Sequence, residues 1–193
     1  MTEPDATTTR IGKGIELSQL GVVTFRNLLA GYDAAVERFN EAAAKRDPST
    51  TFHPLFEALN WAVVLDDQAR MRWAPTGTVL GWGWRTQTTG GDVVNAVRCA
   101  RNRVHHQWAD SLILSEGFSA PLIAPLVGHE WRWRLLADLP AAEPPKGKAS
   151  AAAVVVAEAD YERLLANRPA RNTLRELVVP FRHLADLVEP HRA

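Results

Sequence analysis

Two stretches of this chain place apolar residues at alternating steps of three and four. In "LGVVTFRNLLAGYDAAVERFNEAAAKR" they are Val22, Phe25, Leu29, Tyr32, Val36 and Phe39; in "TLRELVVPFRHLADLV" they are Leu174, Leu177, Phe181, Leu184 and Val188. Steps averaging about 3.5 lie close to the α-helical repeat of about 3.6, so each set forms one stripe on a helix. A helix with a single apolar stripe must bury it against another element, and helix on helix is the economical arrangement. Gly31 weakens the first helix slightly, and "RDPST" ends it.

Two further helices are expected between these. "HPLFEALNWAVVLDDQARM" carries Pro54 at what reads as its first helical position, with Leu55, Leu59, Ala62 and Val63 as its buried stripe. His53 then reads as a capping or surface residue. A third helix is predicted from an N-cap at Asp92 to about Ser115, with Val97, Ala100, Val104, Trp108 and Leu112 inward. A last helical region opens near Val154, is interrupted at Pro169, and is kinked or broken at Pro180. Trp-rich segments at 76–90 and 128–136 flank the third helix. Val79, Trp82 and Trp84 sit in strand-like surroundings, and Trp131, Trp133 and Leu135 alternate with period two, so a small pairing of "GWGW" with "EWRW" is expected. Trp82 with Trp84, and Trp131 with Trp133, would each share a face and form an aromatic mini-core. Arg132 and Arg134 would lie on the solvent side, available to a nucleic acid or a partner; base stacking by the tryptophans is the competing reading. "PAAEPPKGKASAAA" reads as a mobile linker over 140–153. The expected fold is all-α, an antiparallel four- to five-helix bundle with a small Trp-rich β or irregular insertion. Residues 1–13 are expected to form a flexible N-terminus and 14–193 a single domain.

Composition bounds the function classes. Apolar residues are 46% of the 193, enough for a real core, and the formal net charge is zero. A general nucleic-acid binder would carry a basic field, so any such contact must come from a local patch. Cys99 is the one cysteine, which excludes an intramolecular disulfide and a cysteine zinc site and fits a reducing compartment. No apolar run approaches the roughly 18 residues of a membrane span, and "MTEPDATTTR" does not read as a signal peptide. The expectation is a soluble, cytoplasmic protein with no membrane partner.

One segment departs from ordinary helix composition. "RCARNRVHHQWAD", residues 98–110, brings three arginines, an asparagine and two adjacent histidines into a helix that also carries an apolar stripe. At about 100° per residue, Arg101 falls roughly 40° from the Val97–Val104 stripe, at the edge of the buried face. Arg98 and His105 come next round the wheel, and Asn102 and His106 point further out. A guanidinium at a buried edge must meet a carboxylate, a carbonyl or an anionic ligand. Asp66, Asp67 and Glu176 could supply an internal salt bridge to Arg101. Cys99 falls roughly opposite Val97 and reads as structural.

Within that segment, "RNRVHH" places Asn102 directly after Arg101 and His106 after four intervening residues. This resembles the signature of the HEPN superfamily, an Arg followed by a polar residue and then a His after four to six intervening positions, in all-α domains where the motif lies on a late helix. The resemblance implies a metal-independent endoribonuclease of the kind found in toxin–antitoxin and anti-phage defence systems. It implies Arg101, Asn102 and His106 as catalytic residues, no metal or other cofactor, and a homodimer whose two motifs line one cleft. The partners implied are single-stranded RNA as substrate and an antitoxin or other regulatory protein. Arg98 and His105 fit a looser spacing of the motif, so the choice of histidine stays open. Arg98, His105 and Arg103 are further candidates for catalysis or RNA binding.

The residue types suit this chemistry. Histidine, with an unperturbed pKa of about 6.5, can take the proton of a 2′-hydroxyl and return one to a leaving 5′-oxygen. Arginine stays charged and offers a fork of donors to phosphate. Asn102 can orient the attack or bond the phosphate. His129 beside Glu130 points to the opposite strand face, and His183 and His191 are expected in solvent, so none is read as a metal ligand. The competing function is a non-catalytic helical module that binds a nucleotide, a nucleic acid or a partner protein.

Overall fold

The computed structural model describes residues 9–11, 15–17, 24–72, 84–85, 90–107, 110–121, 125–141 and 148–188. They are mostly helical, with one substantial β-hairpin. In chain order the elements are β1 (Thr9–Ile11), β2 (Ile15–Leu17), α1 (Phe25–Ala44), α2 (Pro48–Arg72), α3 (Val93–Gln107), β3 (Leu112–Pro121), β4 (Pro125–Trp133), α4 (Lys148–Leu164), α5 (Ala170–Glu176) and α6 (Val178–Val188). The small antiparallel β1–β2 ladder straddles the boundary expected at residue 13. No helix among the described residues is long and apolar enough to cross a membrane.

The first stripe packs as its spacing requires. Phe25, Leu29, Tyr32, Val36 and Phe39 are all buried; Val22 lies outside the described residues. Thr24 caps α1, its Oγ1 accepting from the Asn27 N–H at 3.1 Å. The second helix starts earlier than its sequence suggested. Pro48, not Pro54, takes the first position, and Asp47 Oδ1 accepts from the Ser49 N–H at 2.9 Å. Pro54 sits inside α2, where its missing N–H leaves the Thr50 carbonyl without a helical donor. His53 is therefore a helical surface residue rather than a cap: it is exposed, edge-on to Phe52 with centroids 5.6 Å apart.

The third helix begins as expected, with Asp92 Oδ1 accepting from the Val93 N–H at 3.1 Å, but it ends at Gln107 rather than near Ser115. Leu112 is buried from strand β3, and Trp108 lies outside the described residues. Helix α3 lies between α2 and α4, so it buries two faces. Val97, Ala100 and Val104 form one; Ala96, Cys99 and Arg103 form the other. Cys99, expected away from the core, is buried for that reason, and burial pushes its thiol pKa up.

Strand β4 pairs with β3; residues 81–83 of the "GWGW" segment expected as its partner lie outside the described residues. The register sets Leu112 opposite Trp133 and Leu114 opposite Trp131. Trp84 and Arg85 have helical backbone, while Val79 and Trp82 lie outside the described residues. Trp131 and Trp133 do share one buried face. Their indole N–H groups donate to the Ala43 carbonyl and to Thr173 Oγ1, each at 3.1 Å, fastening the hairpin to the end of α1 and to α5. Arg132 and Arg134 are half-buried rather than free in solvent: Arg132 donates to the Asn167 carbonyl at 2.8 Å, and Arg134 Nε to the Asp110 carbonyl at 2.9 Å.

The last part of the expected linker is helical, since α4 begins at Lys148; residues 142–147 lie outside the described residues. Pro169 precedes α5, and the last helical region breaks at Leu177, between α5 and α6. Pro180 lies in the first turn of α6, where it removes the donor that would have joined the two. Leu174, Leu177, Phe181 and Leu184 are buried against α1, and the Tyr32 hydroxyl donates to the Leu174 carbonyl at 2.7 Å.

Candidate functional site

The arginines of α3 meet three different fates, set by their rotation round the helix. Arg98 faces α2. Its Nε donates to Asp66 Oδ2 at 2.5 Å, and its Nη2 pairs with Asp67. Asp66 is fully buried and is the hub of this contact. It also accepts from Trp84 Nε1 at 3.2 Å and from Arg85 Nε at 2.9 Å, and Arg85 Nη2 pairs with its second oxygen. Arg85 reaches on to Asn95, whose Nδ2 donates to Asp160 Oδ2 at 3.1 Å. Arg103, on the opposite face, is 5% exposed; it pairs with Glu158 at 2.5 Å and also binds the Pro140 carbonyl. Both arginines thus have structural work, Arg98 joining α3 to α2 and Arg103 joining it to α4.

Arg101 is held differently. Its Nε donates to Asn60 Oδ1 at 3.1 Å, and its Nη1 lies 3.4 Å from Asn102 Oδ1. The Asn60 amide is itself oriented, since its Nδ2 donates to the Phe56 carbonyl at 2.9 Å. Among the described residues no carboxylate pairs with Arg101. Asp66 and Asp67, expected as its salt-bridge partners, are taken by Arg98, and Glu176 pairs with Arg168 at 3.5 Å. The guanidinium is half-buried, and burial lowers its pKa, with the neighbouring charge of Arg98 adding in the same direction and the more distant Asp67 carboxylate opposing them only in part. Two neutral amides satisfy hydrogen bonds but supply no counter-charge, so this cation favours an approaching anion.

Asn102 is exposed beside it. His105 lies one turn beyond Arg101 on the same side of α3, and its ring stacks on Phe56 with centroids 5.5 Å apart and planes 9° from parallel. His106 is in the last turn of α3, roughly 140° round the axis from Arg101 by helical geometry; its side chain lies outside the described residues. The chain therefore brings Arg101, Asn102 and His105 to neighbouring positions on α3.

The sequence offers no role for Asn60, and it offers Asp66 to Arg101 rather than to Arg85 and Arg98. Asn60 gave no local signal, as an isolated amide in a helix ordinarily faces water. Asp66 did give one: it continues the buried spacing Leu55, Leu59, Ala62 with a carboxylate, and a charge on a buried stripe demands a buried cation. Compared with family models, characterised proteins and solved structures, this chain matches none.

Proposed function

We propose that this chain is a metal-independent endoribonuclease of the HEPN type, an antiparallel helical bundle that cleaves single-stranded RNA as a toxin or anti-phage effector. The observation that carries the reading is Arg101, a half-buried guanidinium bonded to Asn60 and Asn102 and paired with no carboxylate among the described residues. A scissile phosphate would provide the missing negative charge. Asn102 lies next to that position and is exposed. His106 is assigned the proton transfers. The 2′-oxygen attacks phosphorus as its proton passes to a base, the P–O5′ bond breaks, and the 5′-oxygen takes up a proton, leaving a 2′,3′-cyclic phosphate and a 5′-hydroxyl. One Arg–His pair is sparse for two proton transfers and charge stabilisation. In the proposed homodimer a second motif lines the same cleft, and an antitoxin or other regulator would restrain it.

Incubation of the purified protein with total RNA in EDTA tests this. Wild type should cut RNA and leave DNA intact, because DNA lacks the 2′-hydroxyl. His106→Ala should lose about 10²–10⁴-fold in rate. Arg101→Lys should also impair cleavage, since an ammonium cannot reproduce the guanidinium fork. If His105→Ala abolishes cleavage and His106→Ala does not, His105 holds the catalytic role. RNA left intact with and without EDTA overturns the nuclease reading in favour of a non-catalytic binding module.

A further inference from the structure

Beside Asn102 a groove of about 510 Å³ opens between α3 and α4, within the size range of small-molecule sites. Its α3 side presents Asn95, Arg98 and Asn102, which at spacings of three and four share one helical face, and Arg85 adds a second guanidinium. The α4 side presents only alanine and valine, including Ala153 and Val156. Short side chains there leave the space open. Val156 is 53% exposed, an apolar surface left to water beside a polar floor.

The two faces ask for a ligand with two kinds of surface. Among the described residues lining the groove, Arg85 and Arg98 are the charged ones, and Asp66, which pairs with both, is fully buried beneath them. A flat apolar ring could lie on the methyl groups of Ala153 and Val156. Its polar edge and an attached anion would face the amides and guanidinium groups. A nucleotide combines these parts, and the volume suits the larger purine ring system.

We propose that this groove is a base-binding subsite for RNA, taking one purine nucleotide that flanks the scissile phosphate. Asn102 belongs both to the groove and to the Arg101 site, so the subsite rests on the endoribonuclease reading and gives it a sequence preference. The base lies against Ala153 and Val156, with its edge toward Asn95 and Asn102.

The test uses fluorescently labelled oligo(A) and oligo(U) single-stranded RNA in EDTA, with binding read by anisotropy and cleavage by mapping the cut sites. Ala153→Trp fills the groove from an exposed position, and Val156→Glu puts a negative charge in it without adding bulk. The melting temperature of each variant checks its folding. Each should weaken oligo(A) binding about tenfold, the equivalent of about 1.4 kcal/mol and of one lost base contact, with little effect on oligo(U). Cuts beside purines should fall by a similar factor. If both folded variants bind and cut oligo(A) like wild type, the subsite is overturned while the nuclease reading stands. If AMP alone binds wild type and is lost in the variants while RNA binding is unchanged, the groove serves a free nucleotide and the RNA subsite is overturned. If wild type cuts no RNA but the variants still lose oligo(A) binding, the nuclease reading fails and the groove stands as an RNA-binding site.

Discussion

At the scale of single residues, α3 separates arginines that hold the fold from one that is poorly compensated within it. Asp66 is fully buried and meets both Arg85 and Arg98, whose side chains are 10% and 24% exposed. Asp66→Ala would leave those two guanidinium groups short of a counter-charge in a dry setting and should cost about 3–5 kcal/mol, read as a lower urea midpoint. A loss below about 1 kcal/mol would show that Asp67 and water compensate. Arg101→Met should behave oppositely. It removes a half-buried charge that forms no ion pair with a carboxylate among the described residues, so the melting temperature should hold or rise while RNA cleavage is lost; a clear drop in melting temperature would make Arg101 a structural residue. Cys99 gives a third check. Burial raises its thiol pKa, so at about pH 8 less thiolate is present than in a free cysteine. A disulfide reagent should leave the native protein unlabelled and modify it promptly in urea; rapid native labelling would mean that the α3–α4 contact opens.

At the scale of elements, the α1–α2 contact depends on a glycine. A Cβ at Gly31 would come within 2.8 Å of the Trp61 ring. Gly31→Ala should gain roughly 1 kcal/mol of helix propensity but incur an overpacking cost of about 1–3 kcal/mol, so the single variant should be destabilised. In a Trp61→Ala background the steric cost disappears and the same change should stabilise. Equal effects in both backgrounds would exclude the clash. The glycine that weakens α1 as an isolated helix is thus the residue that lets α2 approach. This was not legible in the periodicity, because the cost is local and the gain belongs to another element. The hairpin shows the same division. Period-two alternation places Trp131 and Trp133 on one face, as the structure has them, but it does not point to β3 as their partner. Leu112 continues the stripe of Val104 although the backbone after Gln107 has become extended, so periodicity alone extends the helix into what is β3.

At the scale of the whole molecule, zero net charge leaves only a local patch to meet RNA. Binding should therefore depend weakly on salt, with a log–log slope of about −2 or shallower, as expected for a few phosphates on a single strand. A slope several times steeper would point to a broad contact surface. The proposed two-fold cleft predicts a dimer by light scattering at tens of micromolar, and a monomer under those conditions would leave each Arg101 site to act alone.

What the sequence determined by itself was what a short window can encode. Stripe spacing fixed the helices at Phe25–Phe39 and Leu174–Leu184, because an amphipathic face is a property of neighbours on one helix. Asp92 and Pro180 marked a start and a break, because caps and missing donors act within a turn. The arginine-rich cluster was visible for the same reason, and so was the buried edge on which Arg101 lies. Which carboxylate answers which arginine was decided only by the tertiary structure. Arg98 lies 32 residues from Asp66, and Arg101 lies 41 from Asn60. Whether a guanidinium ends beside a carboxylate or an amide depends on the rotation and approach of two packed helices, and no local pattern encodes that relation.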